Sequence, residues 1–352
     1  MAGFDHETLP GRVIFGRGSL ARVPEFAAEL GASRVLVVAT ASQARRAAQL
    51  QKALGKAGAA AFARAAMHTP VEVTEDAMRV VEAEAIDALV AIGGGSAIGL
   101  GKAIAFRTDL PQIVIPTTYA GSEMTPVLGQ TEAGAKTTQR SARVLPEVVI
   151  YDVDLTLSLP PQVSVTSGFN AMAHAVEALY AREPNRLLSA AAQECVRAMA
   201  GALPKIVVAP GDVEARAQAL EAAWLGGWCL AAGGSALHHR LCHVLGGAFG
   251  LPHAETHTVL LPHVLAFNVK AAPDAVGRLC DALDAAHPAD VLFDLAQSLG
   301  GPLSLKALGM PRAGIDRVAA TVLEAPPWNP RPPDGKGLKR LLARAWRGDR
   351  PH

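Results

Sequence analysis

The chain has 352 residues, of which half are hydrophobic and 18% charged, with a formal net charge of +1. That length accommodates two domains with a core each, and the near-neutral balance argues against disorder, a nucleic-acid partner or any other polyanionic partner. Cys195, Cys229, Cys242 and Cys280 show no CxxC spacing, and the start at Met1-Ala2-Gly3-Phe4 lacks the basic and apolar regions of a signal peptide, so a reducing cytoplasm is the expected location.

In chain order, short β-branched runs alternate first with Ala-rich amphipathic stretches. Arg34–Ala39, Ala88–Ile92, Gln112–Ile115 and Val148–Tyr151 read as strands, with helices at about 43–57, 74–84 and 97–106. This pattern predicts a parallel α/β domain over residues 1–155. After Asp152-Val153-Asp154 and Pro160-Pro161 the period changes. Long helical runs follow at Gln193–Ala202, Val213–Ala232, Ala275–Leu283 and Leu338–Trp346, so residues 156–352 are expected to be all-helical. The weakly charged stretch Ala222–Leu237 holds four glycines and is short for a membrane span, which favours a buried helix and turn and no membrane partner. The proline-rich segment Pro326–Pro333 reads as a surface wrap.

Ile92-Gly93-Gly94-Gly95-Ser96-Ala97 leaves a strand and enters a helix. Glycines without Cβ allow close approach of a pyrophosphate, and the N–H groups of the first helical turn face its charge. A ligand-free turn could use the same glycines, because the run is not GxGxxG. Pro116-Thr117-Thr118-Tyr119-Ala120-Gly121-Ser122 follows the next strand, and Lys136 comes shortly after; turn capping is the alternative reading of the threonines. An earlier strand ends at Ala39-Thr40-Ala41-Ser42-Gln43 with Arg45 and Arg46 beyond. No carboxylate stands there to repel a 2′-phosphate, so Thr40 and its neighbours suit both NADH and NADPH, although the arginines could simply be a solvated helix face.

The second half of the chain carries a histidine constellation. Asn170 and His174 are four residues apart in a helical run, His239 and His243 repeat that spacing, and His253 lies fourteen residues after His239. Each histidine taken singly reads as a satisfied core residue. As a set they resemble the metal site of the iron-containing (group III) alcohol dehydrogenases, whose ligands are Asp-x-x-x-His on one helix and two histidines fourteen residues apart. Here Asn170 replaces the aspartate. An amide supplies only a dipole to a divalent cation where a carboxylate supplies charge, which weakens metal binding, although three imidazoles alone can hold zinc.

The segments TTYAGSE-TP, GxKTT, SG-NA-AHAVEA-Y, HH-LCH-LGG and LPHAETH, together with Asn329-Pro330-Arg331-Pro332, extend this resemblance over nearly the whole chain. They are similar to those of the maleylacetate reductases, a branch of the same superfamily. The resemblance implies a dehydroquinate synthase-like fold, with an α/β dinucleotide-binding domain and an all-α catalytic domain. It also implies a homodimeric enzyme that reduces the C=C bond of maleylacetate, a small dianion, to 3-oxoadipate with NADH or NADPH in aromatic-compound breakdown. Gly93, Gly94, Gly95, Ser96, Thr117, Thr118, Ser122 and Lys136 would line the dinucleotide.

A conjugated ene-one with two carboxylates is already a hydride acceptor, so no metal is expected to be required. The competing reading is a metal-dependent alcohol or polyol dehydrogenase. His243 faces the nicotinamide in the family and is the candidate proton donor or relay. His174, His239 and His253 would offer hydrogen bonds or positive charge to substrate oxygens. His257, one turn past His253, is assigned to the pocket wall, whereas His238 and His263 could merely pack or cap. Tyr119 and Arg240 are substrate candidates, and Ser122 and Thr118 are further ones. Arg240 is equally well read as a solvated arginine, because an adjacent helical residue points about 100° away from His239. The glycine turn in one half and the histidines in the other place the expected active site in a cleft between the domains.

Overall fold

In the computed structural model, which describes residues 11–132 and 135–352, the chain divides into two compact units that adjoin in sequence at Leu159 and Pro160. The first runs β1 (Arg12–Phe15), α1 (Val23–Glu29), β2 (Val35–Val38), α2 (Ala44–Ala53), β3 (Gly58–Phe62), α3 (Val71–Ala83), β4 (Ala88–Gly93), α4 (Gly95–Thr108), β5 (Gln112–Pro116), β6 (Val127–Glu132), β7 (Ala135–Arg140) and β8 (Val148–Tyr151). Six strands form one sheet in the order β1-β8-β5-β4-β2-β3, with every pairing parallel. Strands β6 and β7 make a separate antiparallel pair.

Side chains alternate between the two faces of a strand, and here both faces are covered. Val35, Val37, Ile113 and Ile115 pack with Val23 and Phe26 of α1 and with Ala47 and Leu50 of α2. Leu36, Val38, Leu89 and Val114 pack with Ala77 and Val81 of α3 and with Ile98 and Ile104 of α4. Each such side chain contributes about 1.5–3 kcal/mol on burial, which is why these strands read as continuous apolar runs.

The second unit contains α5 (Pro161–Leu179), α6 (Arg186–Val208), α7 (Val213–Gly233), α8 (Leu237–Phe249), α9 (His253–Asn268), α10 (Pro273–Leu283), α11 (Pro288–Ser298), α12 (Gly314–Glu324) and α13 (Gly335–Arg347). Among the described residues no strand follows Tyr151, and no helix is long and apolar enough to cross a membrane. Helix α5 is buried at every residue from Ser164 to Leu179. It can be enclosed because its neighbours come close: a Cβ placed on Gly226 of α7 would lie 2.8 Å from the Ala171 carbonyl oxygen of α5.

That contact predicts the effect of Gly226→Ala. Alanine gains about 1 kcal/mol of helix propensity, but its methyl meets a backbone oxygen that cannot rotate away, and overpacking of this kind costs about 1–3 kcal/mol. Net destabilisation is expected, read as a lower urea midpoint. A raised midpoint would contradict the α5–α7 packing.

Candidate active site

In the first unit the chain moves from β2 outward to β3 and then returns to β4 on the other side of β2. The point where strand order reverses therefore lies between β2 and β4, and ligands of such sheets bind beyond the carboxyl ends of the strands there. Thr40 follows β2 at that end, its Oγ1 3.0 Å from Ser42 Oγ. Gly93 closes β4 with φ 146°, and Gly94 caps α4. A Cβ on Gly94 would lie 2.9 Å from Thr118 Cγ2, whereas one on Gly95 would meet nothing within 4 Å. Gly95 and Ser96 thus begin a helix with open space before it and no acidic residue in its first turn, which fits a pyrophosphate.

Thr117 lies beside this turn, its N–H donating to the Gly93 carbonyl at 3.0 Å. Lys136 stands opposite Thr131 on β7, but its side chain lies outside the described residues. Arg46 is held by Gln43 and by Ser158, at 3.1 and 3.2 Å. Arg45 is exposed.

Lys102 is a residue that the sequence reading missed. Its Nζ, buried in α4, donates to the carbonyls of Ser122, Thr125 and Val127 at 2.6, 2.6 and 3.1 Å and to Thr125 Oγ1 at 3.0 Å. Burial brings its pKa down to about 7, with the charge of Glu123 opposing. The lysine fixes the loop that carries Ser122, and Tyr151 anchors Glu123 in that loop by a 2.8 Å hydrogen bond. A lone charge in the apolar run Ile98–Phe106 was the available signal.

In the second unit α5, α8 and α9 bring the expected histidines together. The rings of His174 and His239 stack at 4.9 Å between centroids, His239 and His257 lie 4.8 Å apart, and His253 and His257 lie 4.3 Å apart. His243 reaches His239 at 6.3 Å and stacks on His253 at 6.0 Å. Asn170 is buried one turn before His174 on α5. His174, His239 and His257 are buried, while His243 and His253 are only half-buried and form the rim.

His174 Nδ1, His239 Nε2 and His257 Nε2 have no hydrogen-bond partner among the described residues. Burial, reinforced by neighbouring imidazoles, holds His174 and His257 well below the usual imidazole range. Both rings are therefore neutral near neutral pH, and of the two roles expected of His174 this leaves hydrogen bonding rather than positive charge.

Two further side chains complete the cluster. His238 is more than packing: its Nε2 lies 2.9 Å from His257 Nδ1, and burial, against the opposing charge of Glu177, brings its pKa to about 3. Glu177 was also missed, although Asn170, His174 and Glu177 share one helix face at i, i+4, i+7. Its carboxylate accepts the N–H of Ala236 at 2.9 Å and of His238 at 2.6 Å, and contacts His239 Nδ1 at 2.5 Å. Burial alone would raise its pKa, but the charge and hydrogen bond of His239 bring it below the ordinary carboxylate range.

Arg240 is not among the residues brought together. It points to α12 and donates to the Thr321 carbonyl at 3.4 Å, as expected for a side chain rotated about 100° from His239. Tyr119 is fully buried in the loop after β5. His263, farther along α9, packs against Phe293 of α11.

This combination of a doubly wound α/β unit, a helical unit and a histidine cluster on three helices has close counterparts. The iron-containing alcohol dehydrogenase family matches residues 10–153, and the C-terminal part of that family matches residues 164–346. The chain belongs to the iron-containing alcohol dehydrogenase family. It is 52% identical over 351 residues to maleylacetate reductase of Rhizobium sp. strain MTP-10005, covering 100% of both chains. The crystal structure of maleylacetate reductase from Agrobacterium tumefaciens superposes with a TM-score of 0.95 at 52% identity, again over 100% of both chains. That of a putative alcohol dehydrogenase from Ralstonia eutropha JMP134 gives 0.98 at 48% identity, with the same full coverage.

The family's name raises the question of iron, and the four positions concerned fit it poorly. Asn170 contributes no charge. Among the described residues the group whose three ligand atoms lie within 4.8 Å of one another is His238, Cys242 and His257, not His174, His239 and His253. The Glu177–His239 pair orients an imidazole as in many metal sites, but it equally well aims Nε2 at a substrate oxygen.

Removing the charge of Glu177 tests its place in this site. Glu177→Gln leaves an amide N–H facing backbone donors, and a buried donor left unsatisfied costs about 1–3 kcal/mol. Because the folded pKa is depressed, the stabilisation is present above the unfolded carboxyl pKa and is lost as pH falls through the folded value. Wild-type stability should decline in that acid range and the variant should decline less. Parallel pH profiles of the two unfolding midpoints would contradict this assignment.

Proposed function

We propose that the chain reduces the C=C bond of maleylacetate to 3-oxoadipate, using NADH or NADPH without a required metal, as a homodimer in the cytoplasm. The observation that carries this reading is a cluster of imidazoles with an amide, not a carboxylate, at Asn170, in a chain about half identical to maleylacetate reductases over its full length. The absence of any disulfide among its four cysteines is in keeping with a reducing compartment.

Gly93, Gly94, Gly95 and Ser96, with Thr117 and Thr118, would hold the dinucleotide, which supplies the hydride when bound. The chain's own residues have three tasks. They must hold two carboxylates, stabilise the enolate oxygen that forms when hydride reaches the carbon β to the ketone, and protonate the neighbouring carbon. Neutral His174 and His257 and the oriented ring of His239 present unbonded nitrogens that can meet substrate oxygens. Half-buried His243 and His253 suit the third task, because a proton donor must be recharged from solvent. The loop after β2 carries no carboxylate to exclude the 2′-phosphate of NADPH.

Purified protein should oxidise NADH in a spectrophotometric assay with maleylacetate, and absence of turnover would refute the reading. His243→Ala should lower kcat by roughly 10²–10⁴, the range for loss of a general acid, with little change in NADH affinity. Near-normal turnover would transfer the role to His253 or Tyr119. Activity should also survive exhaustive chelation. Asn170→Asp should tighten zinc or iron binding in calorimetry, because it adds the missing charge. Complete loss on chelation with recovery on adding metal would establish a metal-dependent dehydrogenase instead.

A further inference from the structure

The helical unit has a cavity of about 820 Å³ that the histidine cluster does not share, apart from the distinct His263. It lies between the end of α9, the start of α11, α13 and the final residues, and its wall carries Lys270, Arg331, Lys336, Arg340 and Arg344 against Asp290 and Asp334. Arg331 lies 3.9 Å over the Phe267 ring and 3.4 Å from Asp334, and Arg344 is bonded to the Arg350 carbonyl at 2.6 Å. No carboxylate among the described residues lies within ion-pair distance of Lys270, Lys336 or Arg340.

Three of these cations crowd one face of α13 at the exposed edge of the cavity. Lys336, Arg340 and Arg344 repeat at four-residue intervals on α13, and like charges at that spacing repel by about 0.2–0.5 kcal/mol per pair. Lys336 also stands in the first turn of the helix, where the macrodipole disfavours a cation. His263 in the same wall is 3% exposed, and its Nε2 has no partner among the described residues. A buried ring nitrogen left unbonded carries a desolvation cost that a ligand oxygen would relieve.

We propose that this cavity binds a small organic or inorganic polyanion carrying two or more carboxylate or phosphate groups. Lys270, Lys336 and Arg340 supply the charge, and His263 supplies a hydrogen bond. The volume is in the range of small-molecule sites, and a concave basic wall concentrates anions before they bind.

The test is isothermal titration of the full chain, at low salt, with citrate and separately with inorganic pyrophosphate. A saturable one-to-one heat with at least one of them is expected, and the tighter of the two shows whether carboxylate or phosphate is preferred. Lys336→Glu combined with Arg340→Glu should weaken that binding tenfold or more, and the milder pair Lys270→Gln with Arg340→Gln should weaken it in the same direction. Unchanged melting temperatures would show that both variants are folded. Failure of both anions to saturate, or equal affinity in the folded variants, would overturn the proposal, the second result by placing the anion elsewhere.

Discussion

The Glu177 carboxylate is buried on α5, where an unpaired charge would cost several kcal/mol, so the surrounding structure has to satisfy it. It does so with two backbone N–H groups at the start of α8 and with the His239 ring. The start of α8 is thereby tied to one position along α5. His239 engages Glu177 through Nδ1, which leaves Nε2 without a partner among the described residues, and His243 follows one turn later at the rim. Loss of this single carboxylate would release both the helix start and the ring orientation.

The same electrostatics bear on Asn170. Burial holds His174, His238 and His257 neutral, so these rings provide no cation to balance a second carboxylate beside Glu177. An aspartate at residue 170 would have to find its counter-charge in a bound metal ion or take up a proton. An amide needs neither, and it leaves Glu177, satisfied by two backbone N–H groups and the His239 ring, without a second buried carboxylate beside it.

Much of the fold was legible because the buried strands and helices announce themselves by composition. Val35–Val38 and Val148–Tyr151 are continuous apolar runs enclosed on both faces. Gly58–Phe62 was missed, and the preceding helix was extended to residue 57, because Gly-Ala-Ala-Ala-Phe has no strand preference of its own. It becomes β3 by pairing with β2. At the site, spacing located the histidines but not their partners. Glu177 and Lys102 act through backbone groups distant in sequence, at Ala236 and Thr125, and periodicity carries no information about such contacts. Arg240 was ambiguous for a related reason, since only packing shows that α12 occupies the direction in which it points.

Helix α5 places Asn170, His174 and Glu177 on an element with no solvent-facing side over sixteen consecutive residues. Its backbone amides can exchange hydrogen only by the largest opening available to the helical unit, not by fraying. The α8 and α9 ends, with half-buried His243 and His253, belong to a less protected layer. The α5 side chains are therefore held by the most protected part of the helical unit, while half-buried His243 and His253 lie nearer to water.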